Sequence, residues 1–267
     1  MDDKFIRIDK LINYRYKIQK SEGYIEWERF IKSRSSYLIF LDNNRQVKLI
    51  LKHFRNKRID KMELDGSRHK MQRKLVTNLF NVIGSAFSFI DHLNYRNEFQ
   101  FSYNKNKIPV LFRYIRNFIV HENTFPLISK FVSNASGERN FQTMNIDLFL
   151  NYLKKRKDEE LLNGSKINKV KQIDKIIDYV LKDLSADFDF EEIYLSYLQY
   201  IRCYQKEWVK SCIRKNRKIF NFLLQDIKEL KKICFDNDQT KDAGIYHLSN
   251  SKIRYLEILL GKKSWNI

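Results

Sequence analysis

The chain is poor in residues that interrupt regular structure: its 267 residues include 7 Gly and 2 Pro. Few tight turns are available to such a sequence. With Lys, Ile, Leu, Asn and Phe abundant, a mainly α fold is expected rather than a mainly β one. Cysteine is scarce as well. Cys203, Cys212 and Cys234 form no CxxC pair and are odd in number, which argues against a disulfide scaffold or a zinc site. Buried thiols in a reducing compartment are the expectation. No run approaches the length of apolar sequence that a membrane helix needs, so no membrane contact is expected. The opening MDDKFIRIDK lacks the apolar core of a signal peptide, and the expected location is the cytoplasm. GxSxG, P-loop, GxGxxG and HExxH patterns are all missing. With 5 scattered His and no close Cys/His cluster, no catalytic metal and no cofactor are expected. Asp236 to Thr240 begins like a calcium loop, but Lys241 stands where that loop needs glycine and His247 where it needs a bidentate Glu.

What is present is positive charge. Lys and Arg total 51 against 32 Asp and Glu, a formal net charge of +19 spread along the chain. Such an excess favours a polyanionic partner, nucleic acid before an anionic membrane.

Both prolines bracket one stretch, Pro109 to Pro126, reading PVLFRYIRNFIVHENTFP. Proline suits the first turn of a helix and biases the residue before it away from helix. The spacing therefore predicts a helix from about Val110 to about Asn123. Val110, Tyr114 and Phe118 fall at i, i+4 and i+8, with Leu111, Ile115 and Ile119 on the adjoining stripe, so one broad face is expected to be buried. Set into this apolar helix are Arg113, Arg116, Asn117 and His121. Asn117 and His121 share a face, and Arg116 lies one residue round from Asn117.

Arg116-Asn117-Phe118-Ile119-Val120-His121 resembles the R-N-x-x-x-H signature of the HEPN superfamily, whose catalytic members are metal-independent endoribonucleases. Of the 5 His, only His121 has an arginine at a matching spacing. The resemblance covers this motif and its helical surroundings. It implies an up-and-down helical bundle, extended by further helices, in which a long helix precedes the motif helix. It also implies a homodimer with a composite site, because one motif supplies a single His. Carried over residue by residue, Arg116 would hold the scissile phosphate, His121 would handle proton transfer, and Asn117 would orient one or the other. Arg113 lies outside the signature and is a candidate substrate contact. The implied activity is RNA cleavage in toxin–antitoxin or antiphage defence, with an antitoxin or defence-system protein as a further partner. A non-catalytic HEPN-like module that binds nucleic acid or protein is the alternative.

The chemistry suits the residues. RNA carries its own nucleophile, so cleavage needs a base for the 2′-hydroxyl proton, an acid for the departing 5′-oxygen, and a cation at the phosphate. His titrates near neutrality, and Arg grips phosphate through a bidentate fork.

Elsewhere, Tyr24, Trp27, Phe30 and Ile31 read as the inward face of a helix. Residues 36–52 read either as a hairpin turning at Asp42-Asn43-Asn44 or as two helical segments capped there; helix is favoured. Residues 52–74 form a basic connection holding Gly66 and Ser67, whose cations could track a phosphate backbone. A long helix from about Met71 to Arg96 carries Leu75, Leu79, Val82, Ile83, Ala86, Phe89, Ile90 and Leu93 as its apolar stripe. Asp91 and His92 near its end read as a polar edge.

A short hairpin is expected around Ala135 to Glu138, covering the motif helix or lying at a substrate groove. Then come a short helix with Ile146, Phe149, Leu150 and Leu153, a charged segment with a turn at Asn163-Gly164, and an amphipathic helix from Ile167 to Leu184. Asp187, Asp189, Glu191 and Glu192 open a long helix toward Phe235, where acidic residues fit capping and the helix dipole. On it Lys210, Arg214 and Lys218, with Arg217 beside them, make a basic stripe near Trp208 suited to backbone phosphates. A last helix is expected from about Asn250 to Leu260. The natural divisions are residues 1–70, 71–162 and 163–267, an N-terminal helical segment, the motif-bearing core and a C-terminal helical region, unless the chain is one continuous domain.

Overall fold

A computed structural model describes residues 3–56, 67–95, 106–122, 127–134, 137–164, 167–184, 188–235 and 248–263. Among these residues the protein is mainly helical. In chain order the elements are α1 (Asp3–Lys20), α2 (Glu22–Asn56), α3 (Ser67–Tyr95), α4 (Lys107–Glu122), β1 (Leu127–Asn134), β2 (Gly137–Met144), α5 (Ile146–Leu162), α6 (Ile167–Asp183), α7 (Phe190–Phe235) and α8 (Asn250–Leu259). They group into two compact units, residues 1–35 with 206–267, and residues 36–205. Both unit boundaries fall inside helices, in α2 and in α7. Of the divisions expected from the sequence, the one after residue 162 lies at the end of α5, whereas the one after residue 70 falls inside α3.

In the first unit a serine makes the corner between α1 and α2. The Ser21 hydroxyl donates to the Ile18 carbonyl at 2.7 Å and accepts from the Tyr24 amide at 3.2 Å, so it ends one helix and caps the next. The expected face of α2 is buried, with Trp27 at 0% and Phe30 at 1% exposure. Phe30 lies between Trp27 (ring centroids 5.3 Å apart) and Trp208 (5.0 Å), both in stacked geometry. Gly23 lets α2 approach α7 closely: a Cβ there would sit 2.7 Å from the carbonyl oxygen of Ile219.

The second unit contains the motif helix. All eight residues of the expected α3 stripe are buried. The helix begins at Ser67, four residues before the expected start. Residues 36–52 form neither a hairpin nor two segments; they are the uninterrupted second half of α2. The reason is that the Asn pair is used for packing rather than turning. Asn44 is buried and accepts from the Tyr194 hydroxyl at 2.8 Å, while Asn43 Nδ2 reaches Ser85 Oγ on α3 at 3.3 Å. The helix expected to be short after the hairpin also runs on, through the charged segment to Leu162. Asn145 caps its start by accepting from the Leu148 amide. Arg156 pairs with Glu159 and Glu160 one turn on, while Lys157 pairs with Asp174 of α6 at 2.7 Å. The helix closes where the sequence places a turn, at Asn163-Gly164, with Gly164 at φ +60°.

β1 and β2 pair antiparallel from Leu127↔Met144 to Asn134↔Gly137, a longer hairpin than expected and centred on the expected turn. Asp189 opens α7 as a cap, accepting from the Glu191 amide at 2.9 Å. Asp187 and the calcium-like stretch lie outside the described residues. Of the thiols, Cys203 is exposed and Cys212 half-buried, and neither is in a disulfide, so Cys203 departs from the expected burial. No helix among the described residues is long and apolar enough to cross a membrane.

Two buried tyrosines separate packing from hydrogen bonding. The Tyr152 hydroxyl is buried with no hydrogen-bond partner among the described residues, whereas the Tyr194 hydroxyl satisfies Asn44. Tyr194→Phe is expected to cost about 1–3 kcal/mol in urea unfolding, because it strands a buried acceptor. Tyr152→Phe is expected to be neutral or stabilising. Equal losses in the two variants would contradict this account.

Candidate functional site in a groove between two antiparallel helices

Asn106 starts the motif helix α4, its side chain accepting from the Ile108 amide at 3.0 Å. The helix therefore begins at Lys107, three residues before the expected Val110, and Pro109 sits inside its first turn. Of the expected buried face, Val110, Leu111, Tyr114, Ile115 and Phe118 are buried and Ile119 is half-buried. Phe112, which the stripe did not include, is buried too, stacked on Tyr197 at 4.2 Å. So α4 is wrapped on most sides, by α3, α5 and α6 among others. Phe118 meets Tyr152 of α5 edge-on at 5.1 Å. Burial lifts the phenols of Tyr114 and Tyr152 to about 12, so both stay neutral at physiological pH.

What remains uncovered on α4 is its polar edge. Arg113, Arg116 and Asn117 are half-buried and line an open groove of about 660 Å³ together with Gly84, Phe87, Ser88, Asp91 and His92 of α3. The arginines are braced by aromatic faces. The Arg113 guanidinium carbon lies 5.7 Å from the Phe87 ring centroid, and that of Arg116 lies 5.3 Å from Phe80. This contact holds the cation through its attraction to the ring face, without using up its N–H donors. Arg116 Nε is buried with no hydrogen-bond partner among the described residues. A buried donor in that state is a natural place for an acceptor oxygen.

Arg116 and Asn117 are thus brought together, with Arg113 beside them. His121 is not in the groove. It is exposed in the last turn of α4, one turn beyond Asn117. Glu122 after it is a surface residue, 3.9 Å from Lys155. Conversely, Asp91 and His92, read from the sequence as a polar edge, line the groove. The signal that could have found them is their stripe: Gly84, Ser88, Asp91 and His92 recur at helical spacing on the side of α3 that its apolar residues leave open. No hairpin residue lines the groove among those described; Ser129 of β1 lies instead against Gln72, near the start of α3.

The expected basic stripe belongs to the other unit. Arg214, Arg217 and Lys218 are exposed along α7, and Lys210 is exposed but paired with Glu207 at 2.8 Å. Three of the four therefore present the expected cations without an intrachain ion pair among the described residues. The nearby Trp208 is buried, so it offers no ring to a base. Among the described residues no three of His, Cys, Asp and Glu come together as a metal would require.

No family model, curated protein or solved structure matches the chain.

Gly84 gives that groove its depth. Nothing lies within 4 Å of the position its Cβ would take. Glycine inside a helix is less favourable than alanine by roughly 0.8–1 kcal/mol, so Gly84→Ala is expected to raise the melting temperature. Gly84→Leu, which fills the groove, is expected to keep the fold and weaken binding of a single-stranded oligonucleotide at least tenfold. Unchanged binding by a folded Gly84→Leu protein would place the ligand elsewhere.

Proposed function

We propose that the protein is a metal-independent endoribonuclease of the HEPN type, acting as a homodimer in toxin–antitoxin or antiphage defence. The observation that carries this reading is the motif's arrangement on α4. Arg116 and Asn117 line the groove with Arg113, and His121 stands exposed one turn further on, available to a second copy.

In the proposed reaction the arginines hold the non-bridging oxygens of one phosphodiester. The 2′-oxygen attacks phosphorus as a base removes its proton. The bond from phosphorus to the 5′-oxygen breaks as an acid protonates that oxygen. The products are a 2′,3′-cyclic phosphate and a 5′-hydroxyl, and His121 takes part in the proton transfers. The excess of cations, including Arg214, Arg217 and Lys218 on α7, suits the remaining backbone.

A second reading has its own support. His121 lies outside the groove that holds the cations, as it would in a module that binds nucleic acid or protein without cutting. Binding would then fall steeply with salt and survive loss of His121.

The test is cleavage of single-stranded RNA in EDTA by wild type, Arg116→Ala and His121→Ala, with product ends identified. The expected result is cyclic-phosphate ends from the wild type, and rates lower by about 10²–10⁴ in the His121 variant. Cleavage that continues unchanged in both variants would remove the motif from the reaction.

A further inference from the structure

Cleavage of a phosphodiester needs a base and an acid, on opposite sides of one phosphorus and a few ångströms from it. The motif offers a single histidine. The groove offers another, His92, in the last turn of α3, lining the same cavity as Arg113, Arg116 and Asn117.

The direction of packing decides how the two histidines can meet. Arg113 lies against Phe87, and Arg116, three residues on, lies against Phe80, seven residues back. The helices are therefore antiparallel. His92 lies beyond Phe87, past the Arg113 end of the row, and His121 lies beyond Arg116 at the other end. At 1.5 Å per residue the two are separated by about 20 Å along the helix pair. One chain's own His92 and His121 cannot serve the same phosphate.

A second copy removes the difficulty. Rotation by 180° about an axis through the arginine row reverses the order of residues along it. The partner's exposed His121 then arrives at the His92 end. We infer that the acid–base pair of each site is His92 of one protomer and His121 of the other, both acting on a phosphodiester held by the arginines between them. This inference rests on the ribonuclease reading above. The other charged groups lining the groove beside His92 are Asp91, Arg113 and Arg116.

The experiment is complementation between differently tagged chains, assayed in EDTA on single-stranded RNA. His92→Gln and His121→Ala homodimers are each expected to lose about 10²–10⁴ in rate. Both should keep wild-type melting temperatures and affinity for a 2′-O-methyl oligonucleotide. His92→Asn replaces His92→Gln if the latter is unstable. A heterodimer of one His92→Gln chain and one His121→Ala chain has one site with both histidines intact and one with neither. Its expected rate is about half that of wild type. A wild-type chain paired with a chain carrying both substitutions should be as slow as either homodimer.

A mixed dimer without recovered activity would overturn the pairing. A His92→Gln homodimer as fast as wild type would overturn the role of His92 while leaving the ribonuclease reading standing. Wild-type protein that cuts no RNA would remove both.

Discussion

Two arginines held against two aromatic rings at the edge of an apolar helix pair are the constraint on which the site depends. α3 and α4 each bury an apolar stripe. The stripe from Leu75 to Leu93 on one helix, and Val110 to Phe112 with Ile115 and Phe118 on the other, leave no room for a cation inside. Arg113 and Arg116 lie along the seam, where the rings of Phe87 and Phe80 face their guanidinium heads. The antiparallel direction of the pair follows from the same two contacts. From it come the order of groups along the groove and the separation of its two histidines. Gly84 and Ser88 keep the facing side of α3 low enough for the groove to stay open.

The surroundings of α4 make that seam rigid. Phe112 stacks on Tyr197 of α7, and Phe118 meets Tyr152 of α5. α5 and α6 are tied to each other by Lys157 with Asp174 and Lys169 with Glu160. Such exposed pairs contribute little each, about 0–1 kcal/mol. The aromatic contacts and the apolar stripes carry the packing. A groove lined by half-buried arginines on a helix so enclosed is pre-organised, and a phosphate entering it would not have to order its ligands.

Much of this was legible in the chain because apolar periodicity is a direct record of burial. The α3 stripe, the inward face of α2 through Trp27 and Phe30, and the course of α7 follow from spacing alone. Polar residues were harder. Asp42-Asn43-Asn44 carries turn chemistry, and within α2 its two asparagines instead bond the tertiary partners Ser85 and Tyr194. The Lys- and Glu-rich segment after Leu153 reads as a charged stretch following a short helix, yet its charges pair three and four apart and it continues the helix. For the site, Arg116 and Asn117 could be found from the motif. His92 lies outside the motif; its polar stripe on α3 is visible in the sequence, but its significance depends on which face of α3 the motif helix covers. That is a property of two helices together, not of either sequence.

In the proposed reading a phosphate backbone sits in the seam between α3 and α4. The direct measurement is the affinity of a non-cleavable single-stranded 2′-O-methyl RNA as a function of salt, for wild type beside Arg113→Ala/Arg116→Ala. Removing one phosphate-binding cation flattens the slope of log K against log salt by about 0.7 for a single strand, so the double variant should be flatter by about 1.4 and bind more weakly at low salt. An unchanged slope and affinity in a folded double variant would contradict the claim, and would leave the cations of α7 as the surface that nucleic acid meets.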